Sequence, residues 1–391
     1  MSRALISRRA LLSAVPAASM LGAPDWRQAL SARVAALGGP GLLRSYDVAG
    51  TGDFDRTQAN CAYVYDNAVA GLALLAAGDA AGARRIGAAL VQAQQTDRFW
   101  HDGRLRNAYR AGPAEPGPYK LPGWWDAAAG RWMEDGYQAG TATGVVAWAM
   151  LLWIGLADRG HGEVFRAAAQ RAAGWIQTQR APRGYAGGVI GFEPSPQRLA
   201  WVSTEHNVDV AAAFAALGRG EAAAHARDFV AGMWQMGQGR FAIGLRPDGG
   251  LNDGSAVDAN LWPLLTAFAC PAWQPALAWV LARHGLPPNA PAGVDFNTDR
   301  DGIWLEGTAI TGLACKRLGV DASRLMATLR AQTSPGGLIY AATTPTLTTG
   351  LSTGLDNAAP DFLYFRRPHI APTAWAVLAR LCATPFPRAN E

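Results

Sequence analysis

Four carboxylates recur at one kind of place along this chain. Asp66, Glu205, Asp258 and Glu306 each stand within or just before the first turn of an apolar, helix-like stretch. One such acid is an ordinary helix start, because acids complement the helix dipole and short polar chains cap free N–H groups. The company they keep is less ordinary. Tyr63 and Tyr65 flank Asp66, Trp201 precedes Glu205 by four residues, His206 and Asn207 follow it, and Trp304 stands two before Glu306. Carboxylates gathered among aromatic rings suit general acid–base chemistry. One carboxyl group, kept protonated by apolar or like-charged surroundings, donates a proton, and another activates water.

Such residues act together only if the fold gathers them. Alanine-rich apolar stretches with helical spacing run the length of the chain, and alternating β-branched runs are scarce. The pattern predicts helices near 25–37, 66–77, 81–95, 141–157, 162–179, 205–217, 220–236, 257–269, 273–284, 305–318, 321–332 and 371–383, or six pairs. One helix of a pair ends in a glutamine-bearing segment, as at Gln92–Gln95, Gln177–Gln179, Gln235 and Gln332, followed by a glycine-bearing loop. The apolar helices that follow align by their starts at Asp66, Thr141, Glu205, Asp258, Glu306 and Pro372. In a closed toroid of antiparallel hairpins the inner helices share one direction. Their N-termini, and the four acids with them, then meet at one mouth. The expected fold class is therefore all-α, an (α/α)6 toroid of about six helical hairpins.

The segments Tyr65-Asp66-Asn67-Ala68, Trp201-Val202-Ser203-Thr204-Glu205-His206-Asn207 and Trp304-Leu305-Glu306-Gly307-Thr308-Ala309, with the glutamine–glycine–aromatic loops, carry a resemblance. Over residues 40–385 the chain resembles the six-hairpin glycosidase superfamily. That resemblance implies a carbohydrate substrate and inverting hydrolysis by two carboxyl groups. Glycoside cleavage needs one acid on the leaving oxygen and one carboxylate on water or sugar. Glu205 is the expected general acid and Asp66 the base, with Glu306 competing for the second role. His206, Asn207, Asp258, Tyr65, Trp201 and Trp304 are expected to contact the sugar. Trp124 and Trp125, in the aromatic loop 96–139, offer flat faces for pyranose rings. Two other readings stand beside the hydrolase: a polysaccharide lyase using His206, Asn207 and Arg106, and a non-catalytic exported polysaccharide-binding protein.

Composition narrows the classes further. Half the residues are apolar and 17% are charged, which suits a deep core. Arg3, Arg8 and Arg9 precede the first acid; without them the formal charge of +5 falls to +2, which gives no footprint for nucleic acid. Ser7-Arg8-Arg9-Ala10-Leu11-Leu12 resembles a twin-arginine signal, so residues 1–23 are expected to be an export leader and 24–391 one catalytic-type domain, periplasmic or secreted. No later segment has the apolar length of a membrane span. Cys61, Cys270, Cys315 and Cys382 lack metal-ligand spacing, and neither a metal nor an organic cofactor is expected. Asp295, Asp299 and Asp301 lack the order of a calcium loop and are read as loop caps. His161, His225 and His284 are read as structural; His101 and His369 lie in loops nearer the expected rim.

Overall fold

A computed structural model describes residues 25–352 and 361–387; the proposed leader 1–23 lies outside the described residues. In chain order the helices are α1 (Trp26–Ala36), α2 (Asp53–Gln58), α3 (Val64–Ala76), α4 (Ala80–Gln95), α5 (Gly136–Ala139), α6 (Thr143–Ala157) and α7 (Glu163–Thr178). They continue with α8 (Thr204–Ala216), α9 (Gly220–Gly232), α10 (Val257–Leu265), α11 (Pro275–Arg283), α12 (Leu305–Arg317), α13 (Ser323–Ala331) and α14 (Ile370–Leu381). Helices α3, α6, α8, α10, α12 and α14 pack each on the next, and α14 returns to α3, which closes a ring. Outside them α4, α7, α9, α11 and α13 pack on α3, α6, α8, α10 and α12, while α1 covers α14. The sixth hairpin is thus made by the first and last helices. This is the expected (α/α)6 toroid.

Sequence pattern separates the two layers. α6 is apolar all round and buried from Thr143 to Leu156 almost without interruption, as an inner helix must be. The outer α7 buries one stripe only, Phe165, Ala168, Ala169, Ala172, Ala173 and Ile176, at helical spacing. The expected extension of α9 to residue 236 does not form: Trp234–Gln235 leaves the helix and pairs antiparallel with Arg240–Phe241. Similar short antiparallel pairs, such as Cys61–Tyr63 with Ala108–Arg110 and Val202–Ser203 with Gly244–Leu245, lead into the inner helices.

One bond pattern sets the register of the ring. The fourth residue of an inner helix reaches back to the extended backbone that follows the neighbouring outer helix. Asn67 accepts from the N–H of Leu43, Asn207 from Tyr185 and Asn260 from Phe241. Thr308 accepts from the N–H of Val294 and Thr373 from Ile339. Each of the five also donates to the carbonyl four residues before it, at Tyr63, Ser203, Ala256, Trp304 and His369. Only α6 departs, with Val146 at that place.

This register corrects the alignment drawn from sequence. Counting from the clamp, the second residues of the inner helices are Tyr65, Gly144, Glu205, Asp258, Glu306 and Ala371. Asp66 is therefore one place later than the other three acids, Thr141 lies ahead of its helix, and Pro372 is one place late. Asn207, expected at the sugar, is fully buried with its amide spent on Tyr185 and Ser203. It is a clamp and has nothing left to offer a ligand. Asn260→Ala would strand the buried N–H of Phe241, which costs about 1–3 kcal/mol. A urea titration is expected to show a lower midpoint at unchanged slope, and an unchanged midpoint would refute the clamp's structural role.

Candidate active site

The N-termini of the inner ring meet at a cavity of about 610 Å³, within the range of small-ligand sites. Tyr65, Asp66, Trp201, Glu205, His206, Asp258, Trp304 and Glu306 all line it, so most of the residues singled out from sequence come together. Trp124 and Trp125 do not line it. They form a hairpin with Arg131–Met133, where Trp125 pairs with Trp132 and is 61% exposed. Arg56 lies over the Trp124 ring. Aromatic content alone could not tell this outer hairpin from the cavity wall.

The cavity is lined by the second residues of five inner helices, by the third residues Asp66, Val145, His206 and Ala259, and, one turn below the second, by the sixth residues of α6, α8 and α10. The sixth are Val69, Trp148, Asp209, Trp262, Ile310 and Trp375. Three tryptophans at this level, packed with centroids 5.2–6.0 Å apart, plug the ring beneath the acids. Asp209 takes the place of a tryptophan in α8. It is fully buried, and neither carboxylate oxygen has a hydrogen-bond partner. The Trp148 indole N–H faces it without reaching hydrogen-bond geometry. Gly144 is what makes room: a Cβ there would stand 2.5 Å from His206 Cδ2 and 2.9 Å from Asp209 Oδ2.

The acids differ in what holds them. Glu205 accepts no hydrogen bond; Ser203 caps its helix instead, taking the His206 N–H. Burial, then the charges of Asp258, Asp209 and Glu306, push its carboxyl well above the ordinary glutamate range. Glu306 is also pushed up, by burial first, but the Tyr65 hydroxyl donates to it and stabilises its charged form. Tyr65 in turn accepts from the Trp375 indole at 2.8 Å. Asp258 takes the N–H of Ala259 at 2.6 Å and is raised by burial to about 6. Asp66 is bound through one oxygen to His369 Nε2 at 2.8 Å, and the His369 ring stacks on Tyr46 at 3.9 Å. The Asp66 charge adds to the upward push on Glu306. His206, beside Trp201, is lowered by burial to about 4 and is neutral at pH 7.

Sequence reasoning did not place Tyr46, Tyr364, Trp148, Trp262 or Asp209 in the wall. Spacing four residues on from Asp258 and Glu205 would have found Trp262 and Asp209. Asp295, Asp299 and Asp301 bring oxygens within 4.8 Å of one another. As expected of caps, Asp295 accepts from the N–H groups of Phe296 and Asp301, while Asp299 and Asp301 accept from Thr348. His284 is bonded to Ser255 and to carbonyls of the same loop, away from the cavity. No helix among the described residues is long and apolar enough to cross a membrane.

Solved structures share this fold. A wild-type glycosidase matches with a TM-score of 0.57 at 14% identity, over 93% of this chain and 98% of its own. An α-amylase from Clostridium perfringens matches with a TM-score of 0.60 at 7% identity, over 93% of this chain and 99% of its own. An unsaturated glucuronyl hydrolase specific for heparin gives 0.53 at 12% identity, over 91% and 96%. Likeness at these identities establishes the fold. No protein-family model matches the chain, and no curated protein matches it.

The buried acids have a consequence for stability. Asp209 keeps its proton in the fold, whereas an unfolded chain releases it above about pH 4. The folded state then binds the extra proton, so stability falls as pH rises from that point toward the folded value. Asp209→Asn removes this loss. Its melting temperature is expected to exceed that of the wild type at pH 8 by about 2–4 °C or more, with the gap closing near pH 4.5; a gap independent of pH would contradict the assignment.

Proposed function

We propose that this protein is a glycoside hydrolase in which Glu205 is the general acid and Glu306 the carboxylate that activates water. The observation that carries the reading is the unequal support of two crowded glutamates. Glu205 has no donor to hold a negative charge, while Glu306 has the Tyr65 hydroxyl, itself backed by Trp375. When crowded acids share protons, the proton stays on the group whose anion is least supported. Glu205 then gives its proton to the leaving glycosidic oxygen. Glu306 draws a proton from the water that attacks the anomeric carbon, and the bond between that carbon and the leaving oxygen breaks.

Asp66, the base expected from sequence, is the weaker choice for that role. The Glu306 charge raises the Glu205 carboxyl, and Tyr65 gives Glu306 a donor of its own, so Glu306 is the better placed partner. Neither Glu205 nor Asp66 is spent on a helix cap, which favours catalysis over a purely binding role. Trp201 and Tyr364, both part-exposed, line the cavity and offer the flat faces that saccharide rings require, while Trp304 is packed beneath them at 2% exposure. The solved relatives of the fold that are named as glycosidases agree with this reading. An exported location, suggested by the leader, fits a polymeric substrate.

Two experiments test it. Glu205→Gln is expected to lower reducing-sugar release from a panel of oligosaccharides by about 10²–10⁴-fold while leaving binding in place; equal release by the variant would remove Glu205 from the acid role. Tyr65→Phe takes a donor from Glu306 and so raises the pH at which that carboxyl ionises. The acid limb of the kcat/KM profile is expected to move to higher pH, with the alkaline limb fixed. A shift of the alkaline limb instead would exchange the roles of the two glutamates.

A further inference from the structure

The cavity wall is lopsided in charge. It carries Asp66, Glu205, Asp209, Asp258 and Glu306, with Asp248 at the rim. Arg246 is its only arginine or lysine among the described residues, and its guanidinium is turned to the carbonyl of Leu251 at 2.5 Å and to Asp248 at 3.6 Å. His369 is bound to Asp66, and His206 is neutral. Among the described residues the wall therefore sets five inner-helix acids against one arginine, which lies out at the rim.

Within that wall two acids lack what an acid needs. Asp209 has no hydrogen-bond partner at either oxygen although it is fully buried. Asp258, on the neighbouring helix, spends one oxygen on its own helix start and has no side-chain partner. A buried carboxyl group left without donors is costly and is ordinarily explained by a group that arrives later. A sugar hydroxyl brings one donor and no charge. An ammonium group brings three donors and the charge that two facing carboxylates lack.

We propose that the saccharide bound here is an amino sugar with a free amine, whose ammonium group is held by Asp258 at the cavity face with Asp209 behind it. The inference rests on the saccharide reading of the cavity given above and narrows it to a substrate class. Binding lets Asp258 and Asp209 ionise against the ammonium. Glu205, one turn from Asp209, stays without a donor and keeps its proton for the leaving group. N-acetylation would remove the charge and add bulk, so the amide form is the weaker ligand. A uronic acid brings a further carboxylate to this acidic wall and is expected to be the weaker ligand.

Monosaccharides test this without assuming a linkage. Glucosamine and galactosamine would be titrated by calorimetry or ligand-observed NMR against their N-acetylated, neutral and uronic counterparts. One amine is expected to bind at least about tenfold more tightly than its neutral and acetylated forms, as a desolvated charge pair would give. In Asp209→Asn and Asp258→Asn, shown folded by their melting curves, that preference is expected to shrink to about threefold or less. Equal or tighter binding of a neutral or uronic sugar overturns the inference. So does a preference that survives both substitutions, or no binding by any of the sugars. Glu205-dependent cleavage of an uncharged glycan, with no amine preference, would leave the hydrolase reading standing while this one falls.

Discussion

The mouth of this toroid depends on a hydrogen-bond clamp made by one side chain in five of the six inner helices. An asparagine or threonine at the fourth helical place satisfies a backbone N–H of the incoming extended segment and, at the same time, a carbonyl of its own helix start. Buried backbone groups at a helix end have few other partners, so the bond is close to obligatory. It also fixes rotation. With the fourth residue turned outward to its neighbour, the second, third and sixth are left to line the cavity, and the chemistry is decided by which residues occupy those places.

Those places hold an arrangement that opposes stability. Glu205, Asp258 and Glu306 share one level, with Asp209 below, where burial and mutual repulsion both disfavour the charged forms. Six helix N-termini point toward the same volume and supply partial positive charge, and Tyr65 and Ser203 satisfy particular groups. That support is uneven. The unevenness is what separates a proton donor from a proton acceptor among chemically similar residues.

Much of the architecture was legible because it repeats. Helical spacing and the glutamine-to-glycine passages gave twelve helices and a common direction for six of them. The register was not legible by matching acid to acid, since charge is carried at two different places: Asp66 is the third residue of its helix and Glu205 the second of its own. Asn67, Asn207 and Asn260 were the better ruler, because a backbone bond tolerates no slip. Partnerships across the ring were out of reach, as with Asp66 and His369, which are 303 residues apart. Burial was out of reach too: Asp209 reads as a surface acid until the glycine opposite it is seen to leave it room.

The ring is closed by contacts between its ends. Trp26 on α1 donates to Thr333, 307 residues later, and α14 must reach both α1 and α3 before the circle is complete. Each hairpin in between can form from neighbours in sequence, but the last seam carries contacts of the highest sequence separation, which are slow to form. Until it closes, α3 leaves an apolar flank bare, and the cavity lacks His369 and the Trp375 ring that packs in the floor. Docking of α14 therefore also completes the mouth, and a chain interrupted before it would hold most of its helices without the His369 that binds Asp66.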